Sequence, residues 1–327
     1  MTARRILSVV AAAVLLAAAL YVWYVRGFGL APQPVSTSDL RWEVKAPLPH
    51  PRTEVAAALW RGRIAVIGGI DGLLRTTGTV QIYDPVADTW VVGPPLPRGV
   101  HHAMAAGFSD RVYLIGGLTG IRFAPATGVY VFNGTWREAA ELPEPLGAGG
   151  IAVLDERIHV VSGVGRGGNV AAHYAYDPAA ARWERRAVLP LARDHLALAS
   201  FQGRLYAIGG RLGGKTSRNT VRVDIYDPGR DAWTAGPRLG HARSGHAAVA
   251  IEGRILIVGG EEPGGTIGTV EAFEGDRWTV VTRMPSPRHG LGAVALGATV
   301  YTLSGGKRPG FSMSGANEAL ILLGPTP

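Results

Sequence analysis

Six short strands that end at a glycine recur along this chain, and that recurrence constrains the fold more than any other feature. They are Arg63–Gly69 (RIAVIGG), Arg111–Gly117 (RVYLIGG), Arg157–Gly163 (RIHVVSG), Arg204–Gly210 (RLYAIGG), Arg254–Gly260 (RILIVGG) and Thr299–Gly306 (TVYTLSGG). Six tryptophans keep the same beat: Trp42, Trp90, Trp136, Trp183, Trp233 and Trp278 are separated by 48, 46, 47, 50 and 45 residues. Between them lies an aromatic segment running into a turn: VQIYDP (Val80–Pro85), VYVFNG (Val129–Gly134), HYAYDP (His173–Pro178), VDIYDP (Val223–Pro228) and VEAFEG (Val270–Gly275). Each unit therefore reads as a small-residue strand, a β-branched strand, an aromatic strand and a Trp-led strand. Glycine suits the end of the second strand, because a chain turning sharply beside a neighbouring sheet needs positive φ or has no room for a Cβ.

A period near 50 with paired glycines, an aromatic turn and a tryptophan resembles the Kelch repeat, and the resemblance covers nearly all of the chain after residue 39. It implies an all-β, six-bladed propeller, one four-stranded blade per unit, with short and protected edges. It also implies that the Trp and Tyr side chains pack around the glycine corner. The last unit lacks a Trp-led strand, whereas Leu40–Pro49 (LRWEVKAPLP) is such a strand with no unit before it. Pairing it with Asn317–Leu323 (NEALILL) would let the N- and C-terminal strands share the closing blade, as Kelch propellers commonly do.

Ile6–Val25 is an uncharged apolar run, and at ~1.5 Å per helical residue it matches a bilayer core of ~30 Å. Arg4 and Arg5 precede it, and Tyr21, Trp23 and Tyr24 stand at its far end, so the N-terminus is expected in the cytoplasm. The expected organisation is a cytoplasmic stub (residues 1–5), a single-pass transmembrane signal anchor (6–25), a linker (26–39) and the propeller (40–327). That places the propeller on the periplasmic side of the inner membrane. Ala17, Ala18 and Ala19 leave a cleaved signal peptide as the alternative; both readings export the propeller.

The composition removes several function classes. There is no cysteine, which excludes disulfides, thiolate metal sites, a cysteine nucleophile and the Cys–Tyr cofactor of the copper radical enzymes related to galactose oxidase. The net charge of +8 comes from scattered arginines, with Lys45, Lys215 and Lys307 the only lysines. No basic stripe with interleaved aromatics is present, so no nucleic-acid partner is expected. Gly163–Gly168 (GVGRGG) satisfies a dinucleotide fingerprint, but an aromatic strand follows it rather than a helix. His101 and His102 are adjacent, and neighbouring strand residues point to opposite faces; a ligating histidine here would need partners from other blades. No cofactor and no metal set is read from the sequence.

A propeller's ligands usually meet the axial mouth, lined by the turns leading into the inner strands and those leaving the glycine corners. Five of the six lead-in turns carry arginine: Arg52, Arg98, Arg193, Arg243 and Arg288. With Arg211 at a corner, and His246 and His289, these are the candidate ligand-binding residues for a carboxylate or polyhydroxylated ligand. The Kelch resemblance also implies a competing role for the lead-in arginines, bonding loop carbonyls and joining blades. Glu54, Asp194, His195 and Glu261 depart from the repeat and are the candidate acid–base residues. Two functions follow: a membrane-anchored module binding a protein or acidic glycan, or a sugar mutarotase, since six exported Kelch units resemble the periplasmic N-acetylneuraminate epimerase group.

Overall fold

The structure is a computed structural model that describes residues 12–21 and 39–323. Six antiparallel blades follow one another in chain order. From the innermost strand outward, blade 1 is Ala56–Trp60, Arg63–Ile67, Val80–Asp84 and Thr89–Gly93. Blade 2 runs from Met104–Phe108 to Trp136–Glu138, blade 3 from Gly150–Leu154 to Arg182–Arg185, and blade 4 from Ala197–Phe201 to Ala232–Ala235. Blade 5 runs from Ser244–Ile251 to Arg277–Arg283. The inner strands pack side by side around the axis, blade 6 against blade 1 included.

Blade 6 is closed as the unpaired ends demand. Gly292–Leu296, Thr299–Leu303 and Asn317–Leu322 are completed by Leu40–Val44, with Leu40 opposite Leu322 and Val44 opposite Glu318. A strand from one end of the chain thus covers an edge that would otherwise offer unpaired backbone groups.

The core is divided among the seams between blades. Ala65, Ile67, Val80 and Ile82 of blade 1 meet Val112, Leu114 and Phe132 of blade 2, and Leu256, Val258 and Val270 of blade 5 meet Val300, Leu320 and Trp42 of blade 6. Alternation along each strand supplies both faces of every blade, so each apolar face finds a neighbour.

The tryptophans hold the rim rather than the glycine corner, which corrects the expectation from resemblance. Trp90, Trp136, Trp183, Trp233 and Trp278 sit 4.9–5.2 Å from Tyr83, Phe132, Tyr176, Tyr226 and Phe273 of the adjacent third strand. Each indole Nε1 also donates to a carbonyl some 41–46 residues earlier in the chain, Ala46, Pro94, Ala140, Ala187 and Pro237 in turn. The corners instead face lead-in turns, the first glycine that of the next blade and the second that of its own. A Cβ on Gly68 (φ +62°) would lie 2.3 Å from Val100 O, and one on Gly69 (φ +101°) 2.6 Å from Thr53 O. Where serine replaces the first glycine, the clash becomes a bond: Ser162 Oγ donates to Arg193 O at 2.8 Å and Ser304 Oγ to Arg52 O at 2.6 Å.

The GVGRGG segment is a β-hairpin, with Arg157–Gly165 pairing back on Gly168–Asp177. It is not a strand-to-helix turn. At the N-terminus the described helix covers residues 12–21. No described helix is long and apolar enough to cross a membrane. Residues 6–11 and 22–25 of the expected span, the stub and the linker up to residue 38 lie outside the described residues.

Candidate functional site at the axial mouth

The six lead-in turns share one backbone device. Glu54, His102, Ala148, His195 and Gly290 stand two residues before the inner strand and Gly245, in blade 5, is the second residue of a longer one; the six positions are equivalent, and all have φ between +52° and +62°. Each passes a hydrogen bond to the next blade: His102 N to Glu54 O, Ala148 N to His102 O, His195 N to Ala148 O, Gly245 N to His195 O and Gly290 N to Gly245 O, at 2.8–3.0 Å. Val55 N to Gly290 O, at 3.3 Å, closes the circuit. The axis is therefore ringed by a continuous backbone belt, and a left-handed residue is what lets each turn reach its neighbour.

Small residues satisfy that conformation at Ala148, Gly245 and Gly290. Glu54, His102 and His195 adopt it with bulky polar side chains, a conformation uncommon for non-glycine residues. A cavity of about 500 Å³ opens above them, its walls including Phe123, Arg211, Lys215, Glu261, His289 and Phe311. Phe123 and Phe311 stand 6.2 Å apart by ring centroid.

The floor of the cavity is a network of charge. Glu54 sits 3.2 Å from His102 Nε2 and 3.3 Å from His289 Nδ1. Burial works to raise the Glu54 pKa, but His102, His289 and His195 outweigh it and hold the carboxyl well below its usual range. Burial alone would lower His289, yet Glu54 and Glu261, between which its ring stands, raise it above the ordinary imidazole value. His102 goes the other way, since its burial outweighs the pull of Glu54 and holds it well below its ordinary value.

Asp194 is fully buried and accepts from His195 Nδ1 at 2.6 Å and from Arg211 Nε at 2.9 Å. Burial opposes its ionisation, but the bonds from His195 and Arg211 bring its pKa down to about 2. Arg211 then reaches Glu261 Oε1 through Nη1 at 2.7 Å and His195 Nε2 through Nη2 at 3.1 Å. One guanidinium thus ties together three of the four expected acid–base residues, as a planar fork of donors can.

The structure places the other expected ligand residues elsewhere. Arg52, Arg193, Arg243 and Arg288 are at most 1% exposed and point into the scaffold. Arg193 bonds Gly209 O, Ala207 O and Asp224; Arg243 bonds Gly259 O and Glu271; Arg288 bonds Ser304 O and Glu318. Their side chains turn away from the mouth to carbonyls and buried polar groups of their own blade, so they are corrected from ligand contacts to residues that tie each lead-in turn to the strands of its own blade. Arg52 has the neutral partner Gln81, and its burial brings its pKa down to about 10. Arg98 is exposed and out of register: counting four residues back from the inner strand, blade 2 has Val100 and blade 3 Leu146 in the arginine position. The acid is absent there too, with Tyr130 and Tyr174 standing where Asp224 stands in blade 4. His246 lies buried against Gly209 at the corner of blade 4, its pKa lowered to about 3 by burial and Arg243.

Sequence reasoning set His102 aside, and with it the aromatic walls. The opposite-face argument fails because His102 has φ +52° and so is not a strand residue; its ring meets that of His101, with centroids 4.7 Å apart. Aligning the residue two before each inner strand exposes the set Glu54, His102 and His195. Phe123 and Phe311 stand in loops of unequal length, which no repeat register reaches.

An all-β ring of six four-stranded blades with a polar axial cavity defines a six-bladed β-propeller. Within that class the chain is a Kelch-repeat propeller: the Kelch motif matches residues 51–97, 192–240 and 242–285. All three segments contain a buried lead-in arginine, which blades 2 and 3 lack. The chain is 44% identical to Kelch-like protein 41 of Homo sapiens over 174 residues, 52% of this chain and 28% of that protein. It is 28% identical to Kelch-like protein 35 of Mus musculus over 140 residues, 42% of this chain and 23% of that protein. The chain thus spans about a quarter of the length of these curated relatives. The solved structure of YjhT superposes with a TM-score of 0.74 at 14% identity, covering 87% of this chain and 98% of that one, a likeness of fold.

Proposed function

We propose that the chain is a binding module that takes an acidic ligand at the axial mouth, either an acidic glycan or sugar or a protein loop that presents a carboxylate. The observation that carries this reading is the 500 Å³ cavity whose floor is charged and whose walls are Phe123 and Phe311. Arg211 and Lys215 offer donors to a carboxylate, and the two rings offer apolar faces to the rest of the ligand. In this reading the uncharged run Ile6–Val25 tethers the module to the inner membrane, with the propeller on the periplasmic side.

A thermal-shift screen of the purified full chain against sialic acids, uronic acids, neutral sugars and peptidoglycan fragments tests it, since a ligand of the native state raises its Tm by mass action. An acidic sugar is expected to raise Tm, and Arg211→Ala to remove the rise. If none of these shifts Tm, the small-ligand form falls and the partner is a protein.

A mutarotase is the second reading, favoured by the Asp194–His195 pair. A buried carboxylate that orients an imidazole beside an open cavity is an acid–base arrangement. The rate of anomer interconversion, followed by NMR with and without His195→Asn, decides it; a rate equal to the uncatalysed one rules it out.

A further inference from the structure

Two imidazole lone pairs and a carboxylate converge on the floor of the mouth. One pair of tautomers, supported by a neighbouring carbonyl, opens the site to an ion. His101 Nε2 lies 3.4 Å from Gly120 O; a carbonyl only accepts, so Nε2 carries the proton of His101 and its Nδ1 is an acceptor. His102 Nδ1 is hydrogen-bonded to that acceptor and therefore carries the proton of His102. His102 Nε2 is left as a bare lone pair, and it faces Glu54 Oε2 at 3.2 Å. In the other tautomer Nε2–H would donate to Glu54 across this distance, and a bound ion takes the place of that proton between the two groups.

His195 is prepared in the same way. Its Nδ1–H is donated to Asp194 Oδ1 at 2.6 Å, which leaves Nε2 as a lone pair turned towards Arg211 Nη2. A carboxylate behind an imidazole is the arrangement that fixes the tautomer and orientation of metal-ligating histidines. Ligand atoms of Glu54, His102 and His195 all lie within 4.8 Å of one another. Donors around a tetrahedral ion with bonds of ~2.1 Å stand roughly 3.4 Å apart, so shifts of about 1 Å would close the set. Each residue comes from a different blade, and each holds its place on the belt at positive φ.

We propose that Glu54, His102 Nε2 and His195 Nε2 form a binding site for a divalent first-row transition ion, with a remaining coordination position open to the axial cavity. Two imidazoles and one carboxylate select zinc-like and iron-like ions over calcium or magnesium. Ion binding would displace only Arg211 Nη2 from His195, because Nε and Nη1 of that guanidinium stay on Asp194 and Glu261.

The test uses the full chain, purified without a metal-affinity tag and stripped with a chelator. It is titrated with Zn²⁺ by calorimetry and with Co²⁺ by visible absorption; no sugar is present, so its outcome is separate from that of the ligand screen. One ion per chain is expected, with cobalt ligand-field bands. His102→Asn and His195→Asn should each weaken binding by about 100-fold or more, and Asp194→Asn, which acts through His195, by about 10- to 100-fold. Asparagine tolerates the left-handed backbone, and an unchanged Tm confirms folding. Should either histidine variant fail to fold, Glu54→Gln keeps the shape and must still weaken binding. Absence of stoichiometric binding, or wild-type affinity in the folded variants, overturns the proposal and assigns any uptake to exposed histidines such as His50 and His241.

Discussion

Blades 1, 2 and 4 and blades 3, 5 and 6 lend the same backbone to the axial belt but fill it differently. In one half the belt residue is the small Ala148, Gly245 or Gly290; in the other it is Glu54, His102 or His195. The fold needs only the conformation, so the polar side chains of the second half answer to something other than the scaffold. The same contrast separates the arginines. Arg193, Arg243 and Arg288 are paired with buried carboxylates below the mouth, whereas Arg211 spends its donors on the belt and its neighbours.

The largest effect should come from breaking the scaffold half. Arg243→Ala strands the buried carboxylate of Glu271, to which Arg243 Nη2 donates at 2.6 Å. Removing one partner of a buried pair costs about 3–5 kcal/mol, whereas Arg98→Ala, at an exposed arginine of a similar turn, should stay within about 0.5 kcal/mol. Urea melts of both variants decide between the two roles. Equal midpoints would return the buried arginines to the list of ligand contacts.

Much of this fold was legible before any coordinates. Two unrelated markers sharing one period fixed the blade count, and the leftover strand at each end fixed the closure. The mouth was half legible. Glu54, Asp194, His195 and Glu261 stood out as departures from the repeat, and Arg211 and His289 as mouth candidates, but Arg52, Arg193, Arg243 and Arg288 were placed in the mouth because sequence does not say which way a side chain turns at a corner. Arg98 was misread for a simpler reason: the Pro-Arg pair suggests a register that the distance to the inner strand contradicts. His102 was set aside because the period-2 rule holds only for strands, and a left-handed residue is invisible in a one-letter code unless it is glycine or asparagine.

Blade 3, which lacks the buried arginine, offers a break of intermediate size. His173 Nδ1–H is turned to Ala187 O at 3.2 Å, and its Nε2 accepts from His159 Nδ1 at 2.9 Å. Burial, then the nearby cation of Arg186, lowers the His159 pKa to about 4; burial, then His159, lowers that of His173 to about 3. Unfolded imidazoles take up a proton near pH 6.5. Between pH 6.5 and 4 the unfolded chain therefore binds more protons than the native one, and stability must fall as pH drops through that window. The slope is about 1.4 kcal/mol per pH unit for each histidine that titrates alone. Denaturant midpoints measured at pH 7, 6 and 5 for the wild type and for His173→Phe, which removes one of the two protons, should diverge in this sense. Parallel curves would mean that these rings are protonated in the native state.

The smallest effect bears most directly on the belt itself. Gly245→Ala places a Cβ no closer than 3.6 Å to any neighbour, so its only cost is the positive φ of +62°; a destabilisation of about 1 kcal/mol is expected. Ala148→Gly is the same change reversed, at φ +53°, and should stabilise by up to about 1 kcal/mol, less what glycine adds to the entropy of the unfolded chain. Opposite signs in the two melts would establish that Glu54, His102 and His195 each hold their belt position against a backbone preference of that size. Gly290→Ala differs from both, because its Cβ would meet the Glu54 carboxylate at 2.6 Å and must push that side chain off the axis. If Gly245→Ala and Ala148→Gly were both neutral, the left-handed turn would carry no cost. The three polar residues would then lose their claim to be there for a ligand or an ion.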